Sequence, residues 1–383
     1  MTNKVQNQLD AVLPERLVLE DMVKQHILHQ AHQRLDAEVV PKRLTLKPLM
    51  TAAAFVVVAG VLAVPYVEYE QQERAFQEAL SEEKIQKVVV PNVSYPSLIN
   101  SIYVEENNEI IHTDERGIYS YSIDTKTETV LVAPTESIEF SSVDLAANER
   151  WVIWGGHGIH ILNRDTGEQN VLLEAYGSFE LVGDQIIYLG LSEMPSYYVY
   201  DLNTEEKLLL HEIDGGGSFP TVTHERLAVA EEKEGDNGKS VHVSIYNIES
   251  RELMQTYTVP YESFSYLTLG DDRIYGQFSS NGDDTTLGYL DLATGKVHIL
   301  DVPENSAYAI YDNYLALSVT KGESDTVKLF HLKEDTADPI KTLNGVGERL
   351  VKPRFNESGK LIVNGEGLET PLYIIDTKKL HEN

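Results

Sequence analysis

The sequence predicts an all-β protein whose main part is a seven-bladed β-propeller ectodomain, with an N-terminal cytoplasmic helix and one transmembrane helix. Three observations predict this: a short phrase that recurs seven times, a single long uncharged apolar segment, and a net charge of −30 that falls almost wholly after that segment. They divide the 383 residues into 1–47, a cytoplasmic amphipathic segment; 48–67, a transmembrane helix; 68–95, a juxtamembrane stalk; and 96–383, the propeller.

Each repeat contains an apolar or aromatic pair, an anchor residue, a small polar turn and an apolar run. The anchors are Asp124, Asn163, Asp201, Asn247, Asp291, His331 and Asp376. Successive anchors lie 39, 38, 46, 44, 40 and 45 residues apart, with a mean of 42. This period is typical of a propeller blade with four short strands, whereas a parallel solenoid usually repeats every ~20–30 residues. The spacing therefore favours seven blades.

Each phrase indicates a β-hairpin. In the third copy we expect strands at Val199–Leu202 and Lys207–Leu210. An Asp or Asn anchor can accept hydrogen bonds from the amides of the turn, and glycines such as Gly167 and Gly295 suit a positive φ. A propeller must also join its first and last blades, because an open sheet edge favours aggregation. We therefore expect Val88–Val90 to pair with the last blade.

The hairpin turn with the pattern apolar–Asp–x–x–Thr/Ser–Gly–Lys, as in Asp291–Lys296, resembles the blade turn of the TolB, YVTN-type and dipeptidyl-peptidase-IV N-terminal-like propellers. The resemblance covers roughly residues 96–383. It implies a rigid scaffold whose central channel or top face binds another molecule. The recurring Gly-His and Trp-Asp pairs of WD40 proteins and the Asp-box of sialidase propellers are absent.

The sequence assigns no catalytic residue. No Gly-x-Ser-x-Gly elbow occurs, and a peptidase of the resembled class would require a further α/β domain after the blades. We therefore expect a non-enzymatic binding or sensing module, with an unknown extracytoplasmic ligand or protein as its partner and no cofactor. A propeller lyase or glycosidase working from channel-facing carboxylates is the alternative.

The apolar segment Leu49–Val67 has 19 residues without a charge. At 1.5 Å per residue, such a helix nearly crosses a hydrocarbon core of about 30 Å. A cleaved signal peptide is the rival interpretation, but the 48 preceding residues exceed the usual charged leader. Lys42, Arg43 and Lys47 precede the span closely, so the positive-inside rule predicts a single-pass cell-membrane protein with a cytoplasmic N-terminus and the propeller outside.

Charge divides at the span. Residues 1–48 contain 7 Lys and Arg against 6 Asp and Glu, a net charge of +1, whereas residues 68–383 contain 24 against 55, a net charge of −31. So acidic an ectodomain repels nucleic acid, which is therefore excluded as its partner. The absence of cysteine excludes disulfides and thiolate metal sites.

The cytoplasmic segment contains one amphipathic helix. Its apolar stripe recurs every fourth residue and comprises Leu19, Val23, Ile27, Ala31 and Leu35. A lone helix of about 20 residues is marginally stable in water, so this stripe predicts a partner, for example a cytoplasmic protein. The layout resembles bacterial transmembrane anti-sigma factors, which implies an alternative function: a regulator that sequesters a cytoplasmic factor. The zinc-type anti-sigma motif needs cysteine and cannot form here.

No metal site is expected. His26, His29 and His32 are interpreted as a polar helix face. The acidic loops 234–238, 281–284 and 323–325 offer oxygen ligands for calcium, but solvated turns have the same composition, and we favour turns. Residues three apart on a strand point to opposite faces. We therefore expect at least one of Trp151 and Trp154 to lie in the core, and we expect His157 and His160 not to share a metal.

Overall fold

The computed structural model describes residues 71–381, with gaps at residues 83, 115–116, 134–143, 215, 236–237, 281–284, 322–323, 334–335, 341–342, 344–345, 347 and 368. The predicted partner-binding stripe, the three cytoplasmic histidines and the predicted span at 48–67 lie outside the described residues. Within the described ranges, no helix has the length and hydropathy needed to cross a bilayer.

Twenty-eight described strands form seven four-stranded antiparallel sheets, so the prediction of seven blades is confirmed. The strands of each blade are given from the innermost outward. Blade 1 contains β2 Ile102–Val104, β3 Glu109–Asp114, β4 Gly117–Ser122 and β5 Thr127–Val132, and blade 2 contains β6 Leu145–Ala147, β7 Trp151–Gly155, β8 Ile159–Asn163 and β9 Gln169–Leu172. Blade 3 contains β10 Tyr176–Val182, β11 Gln185–Gly190, β12 Ser196–Asp201 and β13 Lys207–Glu212, and blade 4 contains β14 Thr221–Val222, β15 Arg226–Gly235, β16 Gly238–Asn247 and β17 Leu253–Val259. Blade 5 contains β18 Ser263–Leu269, β19 Arg273–Ser279, β20 Thr286–Asp291 and β21 Val297–Ile299. Blade 6 contains β22 Ala307–Tyr311, β23 Tyr314–Lys321, β24 Ser324–Lys333 and β25 Thr336–Ile340. Blade 7 contains β26 Arg349–Phe355, β27 Lys360–Glu366, β28 Leu372–Asp376 and, as its outermost strand, β1 Ile85–Val88.

The first strand of the chain closes the ring. β1 pairs antiparallel with β28, and its register places Ile85 opposite Ile375 and Val88 opposite Leu372. A strand from this part of the chain pairs with the last blade, as predicted, but of the predicted residues 88–90 only Val88 belongs to it, and the strand starts at Ile85. Ile85 and Val88 are its buried residues, and they fix this register. The propeller therefore includes residues that the sequence analysis placed in the stalk, and it begins before residue 96.

A helix over residues 71–81, here α1, precedes β1. It packs on the cluster between the last two blades through Phe76 and Ala79, which are 6% and 4% exposed. The ring of Phe76 meets that of Tyr373 edge-on at 5.9 Å. The segment predicted as a stalk is therefore attached to the propeller along this face. A second short helix, α2, covers Tyr95–Leu98, and a 3₁₀ turn covers Lys378–His381.

The described core consists of seven apolar clusters, one at each interface between neighbouring blades. Each sheet is therefore apolar on both faces, as in other propellers. Trp154 packs toward blade 1 with Ile111, whereas Trp151 packs toward blade 3 with Ile186. The two tryptophans lie on opposite faces, as predicted, and both belong to the core.

The anchors act as predicted in the hairpin turns. Their side-chain oxygens accept turn amides in five repeats, at Asn163, Asp201, Asn247, Asp291 and Asp376. In the first repeat, Ser122 rather than Asp124 accepts the amide, from Thr125. The residue four positions after the anchor has a positive φ at Gly167 (73°), Glu205 (59°), Arg251 (62°) and Gly295 (68°), and in the first repeat Lys126 (55°) has the same conformation four residues after Ser122.

Candidate functional site

The innermost strands surround the central channel. In blades 1 to 6 the innermost strand is the first of the blade in the chain, and in blade 7 it is β26. The innermost strands of neighbouring blades contact one another, as β22 and β26 do. Faces of the sheets are occupied by the apolar clusters between blades. Polar side chains that leave these strands toward the axis are therefore the groups that the fold offers to a ligand.

Three innermost strands carry a one-residue register shift, β10 near Gly177, β18 near Tyr266 and β26 near Lys352. In β18 and β26 the bulge falls on a residue with a large side chain. Both residues have a left-handed backbone, with φ of 53° and 54°, and both side chains are exposed. A non-glycine residue in this conformation costs of order 1–3 kcal/mol, and bulges recur beside functional sites, where they re-aim a side chain. The same strained device in two blades indicates a site in the channel.

Lys352 and Arg354 form a pair of cations held by neutral groups. The guanidinium of Arg354 donates from Nε to the Ser101 carbonyl at 3.0 Å, from Nη2 to Ser101 Oγ at 2.9 Å, and from Nη1 to the Lys352 carbonyl at 3.1 Å and Asn364 Oδ1 at 2.5 Å. Lys352 Nζ donates to Asn100 Oδ1 at 2.7 Å. Asn364 is itself buried and donates to the backbone. These contacts fix the two cations without neutralising them.

The pKa values of both cations are lower than their usual values. Among the residues that the structure describes, no carboxylate lies within 4.0 Å of either group. Burial lowers the pKa of Arg354 to about 10. Although the Lys352 side chain is exposed, the surrounding strands partly desolvate its ammonium group, and this desolvation and then the charge of Arg354 lower the pKa of Lys352. Both shifts have the sign expected when a cation lacks a counter-ion.

One carboxylate, Asp144, links these cations to an acidic residue of another blade. Asp144 precedes β6, and its charge acts both on Lys352 of blade 7 and on Glu180 of blade 3. Blade 1 lies between blades 7 and 2, so these groups meet across the channel. The Glu180 side chain is reached by solvent but is enclosed by the surrounding strands, and this burial, with the charge of Asp144, raises its pKa to about 7. The channel wall therefore has a cationic side and an acidic side.

Tyrosines extend this surface. The Tyr308 hydroxyl donates to the carbonyl of Tyr266, which ties β22 to the bulge of β18. Burial raises the pKa of Tyr308 and of Tyr95, and Tyr95 lies close enough to Arg354 to feel its charge. Tyrosine rings offer apolar faces together with hydroxyl groups, a combination that suits planar or hydroxylated ligands.

A cleft of about 710 Å³ opens at the outer rim between blades 1 and 2. Its charged residues are engaged with the protein: Arg164 forms an ion pair with the buried Glu109 at 2.5 Å, and Arg150 with Asp184 at 2.9 Å. The Trp151 indole also donates to Asp184, at 2.7 Å. These contacts join neighbouring blades, so we assign this cleft a structural role.

The other predicted candidates lie elsewhere. His160 stacks on Trp154 at 5.1 Å, within the blade. Of the acidic loops, residues 236–237, 281–284 and 323 fall in the gaps of the structure. Across the described ranges, no group of three or more His, Asp or Glu residues is arranged to hold a metal ion.

Sequence reasoning missed the channel site. One signal was present: Lys352-Pro353-Arg354 places two cations close together in a strongly acidic part of the chain. The bulges gave no signal, because neither Tyr266 nor Lys352 is a residue type that favours a positive φ.

Comparison with known proteins identifies the fold and no family. No family model matches the sequence, and no curated protein does. The structure resembles an oligogalacturonate lyase from Vibrio parahaemolyticus, with a TM-score of 0.52 and 11% identity over 76% of this chain and 96% of that chain. It also resembles prolyl endopeptidases, with a TM-score of 0.51 and 14% identity over 81% of this chain and 55% of that chain.

A third solved structure, the N-terminal domain of Nup159, has a TM-score of 0.51 and 12% identity over 76% of this chain and 95% of that chain. At such identities the likeness shows the fold alone. Two of these neighbours are named as enzymes and the third is not, so the likeness does not decide whether this chain is an enzyme. The finer classification that the blade turns predict stays a prediction. The chain is a seven-bladed β-propeller.

Proposed function

We propose that this protein is a membrane-anchored propeller that acts outside the cell as a non-enzymatic binding or sensing module, and that its central channel takes a small anionic ligand. The anchoring rests on the uncharged segment 49–67 and on the cations that precede it. Binding in the channel rests on Lys352 and Arg354, two cations that have no carboxylate partner among the described residues, in a chain of net charge −30.

The hydrogen-bonding capacity of the pair fits an oxyanion. A guanidinium has five N–H donors and an ammonium has three. The contacts with the protein use four of those of Arg354 and one of those of Lys352, so three donors remain. An anion about 4 Å from a cation gains about 4 kcal/mol at an effective dielectric constant near 20. A carboxylate or phosphate group has oxygens that accept hydrogen bonds from the three free donors, and it has the negative charge that the two cations attract.

The acidic side of the channel limits the total negative charge of the ligand. Asp144 and Glu180 accept hydrogen bonds, and they repel a second strongly negative group. The best match is therefore a small molecule with one carboxylate or phosphate group and several hydroxyl groups. The exposed ring of Tyr266 offers an apolar face to its carbon skeleton.

The test is calorimetric titration of the full chain with gluconate, inorganic phosphate and glucose. We expect gluconate to bind and neutral glucose not to bind. Lys352→Gln and Arg354→Gln should each weaken binding roughly 10- to 100-fold, because hydrogen bonds to charged groups contribute about 1.5–3 kcal/mol. Lys239→Gln, at the exposed start of β16 in blade 4, is the matched control. Absence of binding by both anions, or equal affinity in all variants, would refute the proposal.

Glu180 favours a second candidate, a lyase that works from the channel. A carboxyl group with a pKa of about 7 is suited to proton abstraction at neutral pH, and a neighbouring cation can stabilise a developing carboxylate-type anion. Mass spectrometry after prolonged incubation with each bound ligand distinguishes the two functions. An unchanged ligand supports the binding module, and turnover that Glu180→Gln abolishes supports the lyase.

The regulator of anti-sigma type depends on the cytoplasmic stripe. Capture of cytoplasmic proteins by residues 1–47, compared between the wild type and Ile27→Asp, tests it. A specific partner that Ile27→Asp loses would support this function, and recovery of the same proteins by both would remove its main support.

A further inference from the structure

One end of blade 3 exposes four large apolar side chains. Leu173 is 80% exposed, Leu191 47%, Met194 50% and Phe219 56%. They lie in the two connections that flank the blade and in the loop between its second and third strands. Because neighbouring strands are antiparallel, all three segments emerge at the same end of the sheet.

Backbone contacts bring these segments together. The Leu191 amide donates to the Ala175 carbonyl at 2.8 Å, which places the loop beside the connection that contains Leu173. On the other side, the Ile213 amide donates to the Pro195 carbonyl at 2.9 Å, and the Tyr197 hydroxyl donates to the Ser218 carbonyl at 2.5 Å, next to Phe219. The four side chains therefore belong to one surface, here called the blade 3 face.

Carboxylates surround the blade 3 face. Glu193 lies between Leu191 and Met194, Glu212 ends the outer strand opposite Ser196, and Glu232 packs beside Gly216. All three are exposed. Within the described part of the chain, none of the three forms an ion pair. An apolar surface with an acidic border disfavours a membrane of anionic lipids, which would be repelled.

We propose that the blade 3 face docks a protein segment that presents apolar side chains flanked by lysine or arginine. Exposed apolar patches with a polar rim mark interaction sites, and complementary charge selects the partner and speeds its association. The blade 3 face and the cationic pair of the channel share no residue, so this proposal does not depend on the channel ligand.

The test starts from a library of random peptides displayed on phage and selected on the full chain, with prior removal of binders to the Met194→Asp variant. We expect the enriched peptides to combine Leu, Phe or Trp with Lys or Arg. In fluorescence polarisation, Met194→Asp should weaken the best peptide at least tenfold, and Glu193→Lys should weaken it and reduce its dependence on salt concentration.

Met254→Asp is the matched control, since Met254 is 56% exposed at the start of the outer strand of blade 4 and belongs to none of the segments of this surface. Met194 is itself half exposed, so its substitution leaves the core intact. Enrichment of acidic or uncharged peptides, failure to enrich any peptide, or equal loss in Met254→Asp would overturn the proposal. Binding to phosphatidylglycerol vesicles that Met194→Asp abolishes would also overturn it, because the face would then contact a membrane.

Discussion

Tyr266 and Lys352 occupy the same place in two blades: each is the first bulged residue of an innermost strand, and their φ angles differ by one degree. Neither residue type favours this conformation, so the fold holds both side chains at a cost. The bulge places a tyrosine on one side of the channel and a cation on another. This relationship supports the channel as the functional site, and it leads to the first prediction.

We expect Lys352→Gly to stabilise the protein while it removes ligand binding. Glycine adopts a positive φ without a steric penalty, so relief of strain should raise the free energy of unfolding by about 1 kcal/mol. Urea denaturation measures this change, and calorimetry measures the loss of gluconate binding. A loss of both stability and binding would mean that the lysine side chain serves the fold.

The hairpin turns provide a test of the same strain away from the channel. Glu205 and Gly167 lie four residues after their anchors, with φ of 59° and 73°. Glu205→Gly should raise the free energy of unfolding by up to about 1 kcal/mol, and Gly167→Ala should lower it by about 1 kcal/mol or more. No atom would contact a Cβ at residue 167 within 4 Å, so any loss arises from the backbone. Opposite signs in thermal or urea denaturation check the prediction, and equal signs contradict it.

Glu180 should make stability depend on pH. Its folded pKa is about 7, above the ordinary value of 4.5. A raised folded pKa stabilises the protein below about pH 4.5, and this contribution is lost as the pH rises through 7. Glu180→Gln should therefore gain stability relative to the wild type between pH 5 and pH 8.

Urea denaturation at several pH values measures the difference between Glu180→Gln and the wild type. Glu212→Gln, on an outer strand, corrects for the general removal of a negative charge from an acidic protein. If Glu180→Gln and the wild type keep a constant difference across this range, the carboxyl group does not titrate there.

Closure of the ring by β1 should contribute strongly to stability. Ile85 is 2% exposed and lies opposite Ile375, so Ile85→Ala should cost about 2–4 kcal/mol through lost burial and a residual cavity. Gln86→Ala on the exposed side of the same strand should cost less than about 0.5 kcal/mol. Denaturant unfolding of both variants tests this. A small effect of Ile85→Ala would show that the last blade is stable without its fourth strand.

The sequence was sufficient for the repeat and insufficient for the site. Anchors such as Asp201 are visible because a turn amide needs a short acceptor at a fixed place, and Trp151 and Trp154 could be assigned to opposite faces from strand periodicity alone. Closure was predicted from the need to cover an edge, but its register depended on which of the apolar residues near Val88 become buried.

The channel site depends on features that are not local. Lys352 and Glu180 lie 172 residues apart in the sequence, and only the closed ring brings both within the range of the Asp144 charge. No sequence pattern shows that the acceptors of Arg354 are neutral: they are two backbone carbonyls, a hydroxyl and an amide, supplied by blade 7 and by the segment before blade 1.

The most direct test of the central claim is a crystal structure of the protein grown in the presence of gluconate. The account predicts that the gluconate carboxylate lies in the channel, with an oxygen about 2.7–2.9 Å from Lys352 Nζ or an Arg354 nitrogen, as in charge-assisted hydrogen bonds. Its hydroxyl groups should face Asp144 or Glu180. A channel that contains only water beside Lys352 and Arg354, or gluconate bound elsewhere on the propeller, would contradict the account.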